Sequence, residues 1–255
     1  VAVVSTGAEL RDAGQALEPG TIPDSNSLLL AGLVAEQGAV CTSVARSGDT
    51  AEALAEVLQQ AASGADLIVT SGGVSAGAFD PLTMLAKAQR SEQAPVHLDF
   101  VKVAMQPGKP QGHGWVLADD GRRVPIICLP GNPVSVLVSF TTIVAPALAR
   151  LAGQDAAGGT EPLPDRPVLT ARAAMGWRTP PGRRQHVPVR FTEAPTGSDV
   201  SDDSGLPWVT PTHRLGSGSH LVASLPAAQA LAVVATDVEE VEVGDELPLI
   251  PLTAS

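Results

Sequence analysis

Four short segments hold the residues with chemical potential: Ser5-Thr6-Gly7-Ala8-Glu9, Thr70-Ser71-Gly72-Gly73-Val74-Ser75, Pro107-Gly108-Lys109-Pro110 and Leu129-Pro130-Gly131-Asn132-Pro133. Gly72 and Gly73 let the backbone approach a ligand closely and turn N–H groups toward it, and Ser71 and Ser75 add hydroxyl donors. A helix opening at Asn132 or Pro133 offers its positive dipole end to an oxyanion. Lys109, one of only three lysines, stands on a loop stiffened by Pro107 and Pro110. Together these features suit the capture of a phosphate or a tetrahedral oxyanion. Each loop alone is equally an ordinary tight turn, since Gly, Pro, Asn and Ser dominate turns. Glu9, Asp24, Asp49 and Asp80 add carboxylates. Mg2+ takes one or two such groups with phosphate oxygens completing its shell. Asp24, Asp49 and Asp80 also stand where helix caps are expected. The five histidines are scattered without ligand spacing, and no Ser-His-Asp or Cys-His set stands out. Cys41 and Cys128 have no CxxC spacing, which predicts buried core thiols in a reducing compartment.

The elements that must carry these loops alternate through the first 150 residues. Val1–Val4 has the pattern of a buried strand. Ser25 and Asn26 precede a helix with Leu29, Leu30, Leu33 and Val34 at helical spacing. A strand is expected over Ala39–Val44, and Asp49-Thr50-Ala51-Glu52 has the form of a capping box opening a helix to about Ala62. Asp66–Thr70 reads as a strand, Asp80-Pro81 as a helix start, and Phe100–Ala104, Trp115–Ala118 and Pro125–Leu129 as strands. A long helix follows Asn132. Such alternation predicts an α/β unit with a largely parallel sheet covered on both faces, and places the four loops at its strand ends. Residues 1–153 form this domain, 154–167 a Gly/Pro-rich acidic linker, and 168–255 a small β domain, a partly closed barrel. Thr196–Gly205 is expected to be a polar hairpin tip. The formal charge of −11 and the 3% aromatic content argue against nucleic acid and anionic membranes as partners. No uninterrupted apolar run reaches spanning length, and no leader precedes the first strand, so a cytoplasmic location is expected. Because the chain opens directly into a core strand, further domains are expected ahead of it.

In order and spacing, STGAEL (Ser5–Leu10), DSNS (Asp24–Ser27), TSGGVSAGAFD (Thr70–Asp80), PGKP (Pro107–Pro110) and LPGNPVS (Leu129–Ser135) resemble the molybdopterin molybdenumtransferase family, with a weaker likeness at Gly182-Arg183 and Gly216–Ser219. The resemblance implies a three-layer α/β/α sandwich of molybdopterin-binding type followed by a small β domain. It implies an enzyme of molybdenum cofactor biosynthesis that inserts molybdate into adenylylated molybdopterin, releases AMP and uses Mg2+. Asp80, Asp49, Glu9 and Lys109 then match catalytic positions, with Asp49 and Asp80 nearest the metal. Thr6, Gly7, Ser71, Gly72, Gly73, Ser75, Pro107, Gly108, Pro130, Gly131, Asn132 and Pro133 match substrate-binding positions, and Arg183 and Ser219 would reach the oxyanion from the β domain. Ala8 stands where the family usually has Asp, and Gln106 where many members have Lys. Family members carry two further N-terminal domains and form a homodimer, and the adenylyltransferase of the same pathway is an expected partner. Two alternatives are a molybdopterin adenylyltransferase-like enzyme and a non-catalytic scaffold of the gephyrin kind. The paired PGKP and LPGNPVS segments, with a Lys between prolines, favour the transferase.

Overall fold

A computed structural model describes residues 1–74, 80–88, 94–154, 169–195, 205–213 and 222–252. The chain divides into two compact units. One comprises Val1–Val103 with Pro110–Ala157, the other Ala104–Lys109 with Gly158–Ser255.

The first unit is built on β1 (Ala2–Thr6), the short pair β2 (Leu10–Arg11) and β3 (Ile22–Pro23), α1 (Asn26–Glu36), β4 (Ser43–Ser47), α2 (Ala51–Ser63), β5 (Ile68–Ser71) and α3 (Pro81–Ala88). β6 (Val96–Lys102), β8 (Pro110–Leu117), β9 (Arg123–Leu129) and a helix α4 (Pro133–Leu151) complete it, while β7 (Met105–Gln106) belongs to the other unit. The sheet order is β4-β1-β5-β9-β8-β6. β4, β1, β5 and β9 are mutually parallel, whereas β8 runs antiparallel to both β9 and β6. The sheet is therefore mixed, with a parallel centre.

Alternation along β1 explains the layers. Ala2 and Val4 pack with Leu54, Leu58, Leu82 and Leu85 of α2 and α3, while Val1 and Val3 pack with Leu30, Val34, Val136 and Phe140 of α1 and α4. A strand buried on both faces reads as a continuous apolar run, as Val1–Val4 does. β4 lies at a sheet edge with only Ser47 buried, so its sequence SVARS lacks that signature. The expected strand Ala39–Val44 is thus displaced: residues 39–42 are irregular chain between the turn after α1 and β4, and Cys41, expected in the core, is only half-buried. Cys128 is fully buried on β9.

Two helix starts also differ from expectation. Ser25 is itself helical and makes no capping bond; Asp24 does the work, its Oδ1 accepting from the Ser27 N–H at 3.1 Å. At α2 the cap is Thr50, whose hydroxyl accepts from the Ala53 N–H, and Asp49 is released from that duty. Helix α4 contains a π turn at Phe140–Val144, where the Ala145 N–H reaches back to the Phe140 carbonyl. Pro146, which follows, lacks an N–H and crowds the preceding turn, and one wide turn accommodates it. By length and composition α4 could cross a membrane, which the sequence obscured through Ser139, Thr141 and Thr142. Most of it is buried inside this unit, as a core helix.

In the second unit β10 (Leu169–Ala173), β12 (Arg184–Thr192), β13 (Trp208–Pro211), β14 (Ala230–Val234) and β16 (Glu246–Pro251) pair in the ring β13-β10-β16-β14-β12-β13. β11 (Trp177–Arg178) and β15 (Glu240–Val241) form a separate pair. The barrel closes because β12 is shared: its far half pairs with β13, and Arg184 and Gln185 at its start pair with β7. Pro107-Gly108-Lys109 therefore leaves a strand of this unit, not the large sheet as the sequence suggested. The linker from residue 155 and the hairpin tip at 196–204 lie outside the described residues.

Candidate functional site

Strand register sets the site. Thr6 is level with Ser47, Ser5 with Ser71, Ser71 with Leu129, and Gly112 of the antiparallel β8 with Cys128. The carboxyl ends of four parallel strands and the start of β8 thus share one end of the sheet, where open α/β sheets bind ligands. An open cleft of about 790 Å3 lies there. It is lined by Thr6, Gly7 and Glu9 after β1, Asp24 to Asn26 at the start of α1, and Asp49 before α2. Ser71 to Val74 and Asp80 to Pro81 follow β5, and Pro130 to Pro133 follow β9. Pro110, the chain neighbour of Lys109, also lines it.

A buried chain of hydroxyls ties this end together. The Ser27 hydroxyl donates to Asp24 Oδ2 at 2.6 Å and lies 2.7 Å from the Ser5 hydroxyl, which lies 3.3 Å from that of Ser71. Both Asp24 oxygens are therefore engaged with Ser27, a structural duty. Asn26 Nδ2 donates to the Gly131 carbonyl at 2.6 Å, joining α1 to the loop after β9.

The glycines are required by close approach. Gly72 and Gly73 have φ of 86° and 75°, and a Cβ on either would stand 2.8 Å from Thr6 Oγ1. Gly131 lies against Gly72, its Cβ position 3.3 Å from the Gly72 Cα. One expectation needs correction: the Gly72 N–H does not face the ligand space. It donates to the Leu129 carbonyl at 3.1 Å, carrying the β5–β9 pairing one residue further.

The cleft is acidic. Glu9, Asp24, Asp49 and Asp80 line it, and no Lys or Arg does among the described residues. Asp80 is buried, and its carbonyl accepts from the Met84 N–H to open α3. Glu9 and Asp49 are exposed, and the Glu9 carboxylate folds back over Gly7. Burial pushes the Cys128 thiol up to about 12; the Asp80 charge adds to this and the Thr70 hydroxyl opposes it. That thiol stays protonated and is no nucleophile. No group of three metal-ligating side chains stands together among the described residues.

Lys109 is exposed in the second unit, after a cis Gln106–Pro107 bond and a buried Pro107-Gly108. Arg183, in the same unit, donates through Nη1 to Gln106 Oε1 at 3.0 Å. Gln106 is thus the partner of Arg183, which a Lys there would repel. Ser75 and Ser219 lie outside the described residues. Three participants were not expected as site residues from the sequence: Ser5, Asn26 and Ser27. Ser5 opens the STGAEL segment, but nothing local marks its hydroxyl as the link between Ser27 and Ser71. The DSNS run was the available signal for Asn26, but its contact with Gly131 spans 105 positions and only folding reveals it.

Comparisons with known proteins identify the family. Residues 2–150 match the family described as "Probable molybdopterin binding domain", and residues 170–252 match "MoeA C-terminal region (domain IV)". The chain is 37% identical over 253 residues to molybdopterin molybdenumtransferase 2 of Mycobacterium tuberculosis, covering 99% of this chain and 56% of that protein. It is 39% identical over 164 residues to the molybdopterin molybdenumtransferase of a Nostoc species, covering 64% of this chain and 35% of the relative. A crystal structure of the molybdopterin biosynthesis MoeA protein from Pyrococcus horikosii superposes with a TM-score of 0.72 at 26% identity, over 100% of this chain and 54% of that one. The chain spans about half the length of the first of these relatives and of that structure.

Proposed function

Since the chain belongs to the molybdopterin molybdenumtransferase (MoeA) family, we propose that its cleft receives adenylylated molybdopterin and that the protein it represents exchanges AMP for molybdate at the dithiolene. The observation carrying this proposal is the convergence of the loops after β1, β5 and β9 on one cleft, with glycines at 72, 73 and 131 where a Cβ would press on Thr6, Leu82 or the backbone of the neighbouring loop. A match over residues 170–252 to the MoeA C-terminal region favours the transferase over an adenylyltransferase-like enzyme.

An anionic phosphoanhydride does not enter an acidic cleft unaided. Asp24 is occupied by Ser27, which leaves Glu9, Asp49 and Asp80. This donor set fits Mg2+: two carboxylates, Asp49 and Asp80, would hold it, and substrate phosphate oxygens would complete the shell. When bound, the ion neutralises phosphate charge and withdraws electrons from the bond to AMP. The chain's own residues do the rest. Thr6, Gly7, Ser71, Gly72 and Gly73 shape the wall on which the substrate lies. The α4 N-terminus behind Pro130, Gly131, Asn132 and Pro133 supplies a favourable dipole to an anion. Ser75 is assigned to substrate binding, and Lys109, with Pro107 and Gly108 setting its loop, is assigned to molybdate, as are Arg183 and Ser219. We further assign the protein to the cytoplasm, to a homodimer, and to succession after the adenylyltransferase that makes its substrate.

AMP release tests the proposal. Incubated with adenylylated molybdopterin, molybdate and Mg2+, the protein is expected to yield AMP in step with molybdate uptake. Substrate that binds without molybdate-dependent AMP release would overturn it.

A further inference from the structure

Asn26, the first residue of α1, is 8% exposed and lines the cleft beside Gly131. Its Nδ2 donates to the Gly131 carbonyl. That bond fixes which way round the amide lies, because the reverse would set Oδ1 against a carbonyl oxygen. Oδ1, the acceptor of this side chain, is then buried without a partner. Buried acceptors are almost always satisfied, and an exception calls for a ligand or another specific reason. Its neighbours are committed within the fold: the Asp24 carboxylate to Ser27, and the Ser27 hydroxyl to Asp24 and Ser5.

We propose that Asn26 is a recognition residue of the cleft, its Oδ1 accepting an N–H from the planar heterocycle of the substrate. This rests on the function proposed above and names the atom that reads the ring. The chemistry required is an exocyclic amino group on an aromatic ring. A ring carbonyl in the same place would set oxygen against oxygen and be excluded. Adenylylated molybdopterin carries such donors twice, on the pterin and on the adenine, so the test separates the two sources.

Calorimetric titration of the chain with four compounds, in the presence of Mg2+, makes the distinction. Pterin is compared with lumazine, which has a carbonyl in place of the 2-amino group, and AMP with IMP, which has one in place of the 6-amino group. The expected result is a preference of about tenfold or more for the amino compound in one pair, which identifies the ring that Asn26 reads. Asn26→Ala is expected to bring that ratio to within about twofold. Asn26→Asp keeps an oxygen and is expected to retain the preference, while the lost bond to Gly131 weakens both members of the pair. Each ratio compares two ligands on one protein, so it does not depend on the fraction folded. A purely structural role would weaken both members of a pair equally in Asn26→Ala and leave the preference intact, which would overturn the proposal. Binding without discrimination in the unaltered chain would overturn it too. If none of the four compounds binds, the assignment of the cleft itself falls, and this proposal with it.

Discussion

Asp80 and Asp49 sit at opposite extremes of exposure in one cleft, and their roles separate accordingly. Asp80 is buried beside the sheet end, close enough for its charge to act on Cys128, whereas Asp49 is exposed just ahead of α2. Asp80→Asn preserves shape and removes the charge. It is expected to lower AMP release at least about a hundredfold while shifting the unfolding midpoint little, as paired turnover and thermal melts would show. Chelation of divalent ions is expected to abolish AMP release and added Mg2+ to restore it; turnover persisting in chelator would remove Asp49 and Asp80 as ligands. Gly73→Ala is a different kind of lesion. Its φ of 75° and the contacts with Thr6 and Leu82 make any Cβ costly, and a loss of about 1–3 kcal/mol in stability is expected together with weaker AMP binding. Denaturant unfolding and AMP titration on the same sample would check it.

Helix starts are where elements meet the cleft. α2 begins on Thr50, whose hydroxyl caps the Ala53 N–H, so Thr50→Ala is expected to cost about 1 kcal/mol in denaturant unfolding. Asp49→Ala, one residue earlier, should leave stability nearly unchanged and act on AMP release instead. The pair separates a cap from a site residue within two positions, a distinction the apparent capping box blurred. At α1 the cap and the hydroxyl chain are one structure. Losing the Ser27 hydroxyl would leave Asp24 buried with an oxygen unbonded, and Asn26 depends on that same first turn for its reach to Gly131.

Charge governs the whole molecule in two separate ways. The net −11 and the acidic cleft both oppose a polyanionic substrate, so cations must be local. In the β unit, burial with the nearby Arg184 charge holds His186 down to about 4, against an ordinary value near 6.5. Between those values the unfolded chain binds a proton that the folded chain refuses. Stability therefore falls as pH drops from about 6.5 to 4, by up to roughly 3 kcal/mol in all. Urea melts across this window should show the loss, and His186→Gln should flatten it. A profile identical in the variant would refute the assignment.

The sequence by itself determined what local chemistry dictates. Apolar runs gave the strands buried on both faces, helical spacing gave the helices, and Gly-Gly and Pro-Gly-Asn gave turns that no other residues make cheaply. The loops of the cleft were legible for that reason, as was the family. Only the tertiary structure decided the rest. β4 slid along the chain because an edge strand needs no apolar signature, and α4 hid its length behind hydroxyls that bond to its own backbone. The Lys109 loop went to the barrel because Met105 and Gln106 found their hydrogen bonds on Arg184 and Gln185. Asn26 found Gly131 and Gln106 found Arg183 across long stretches of chain. Such pairings depend on where the folded backbone brings donors and acceptors together, which no local stretch of residues encodes.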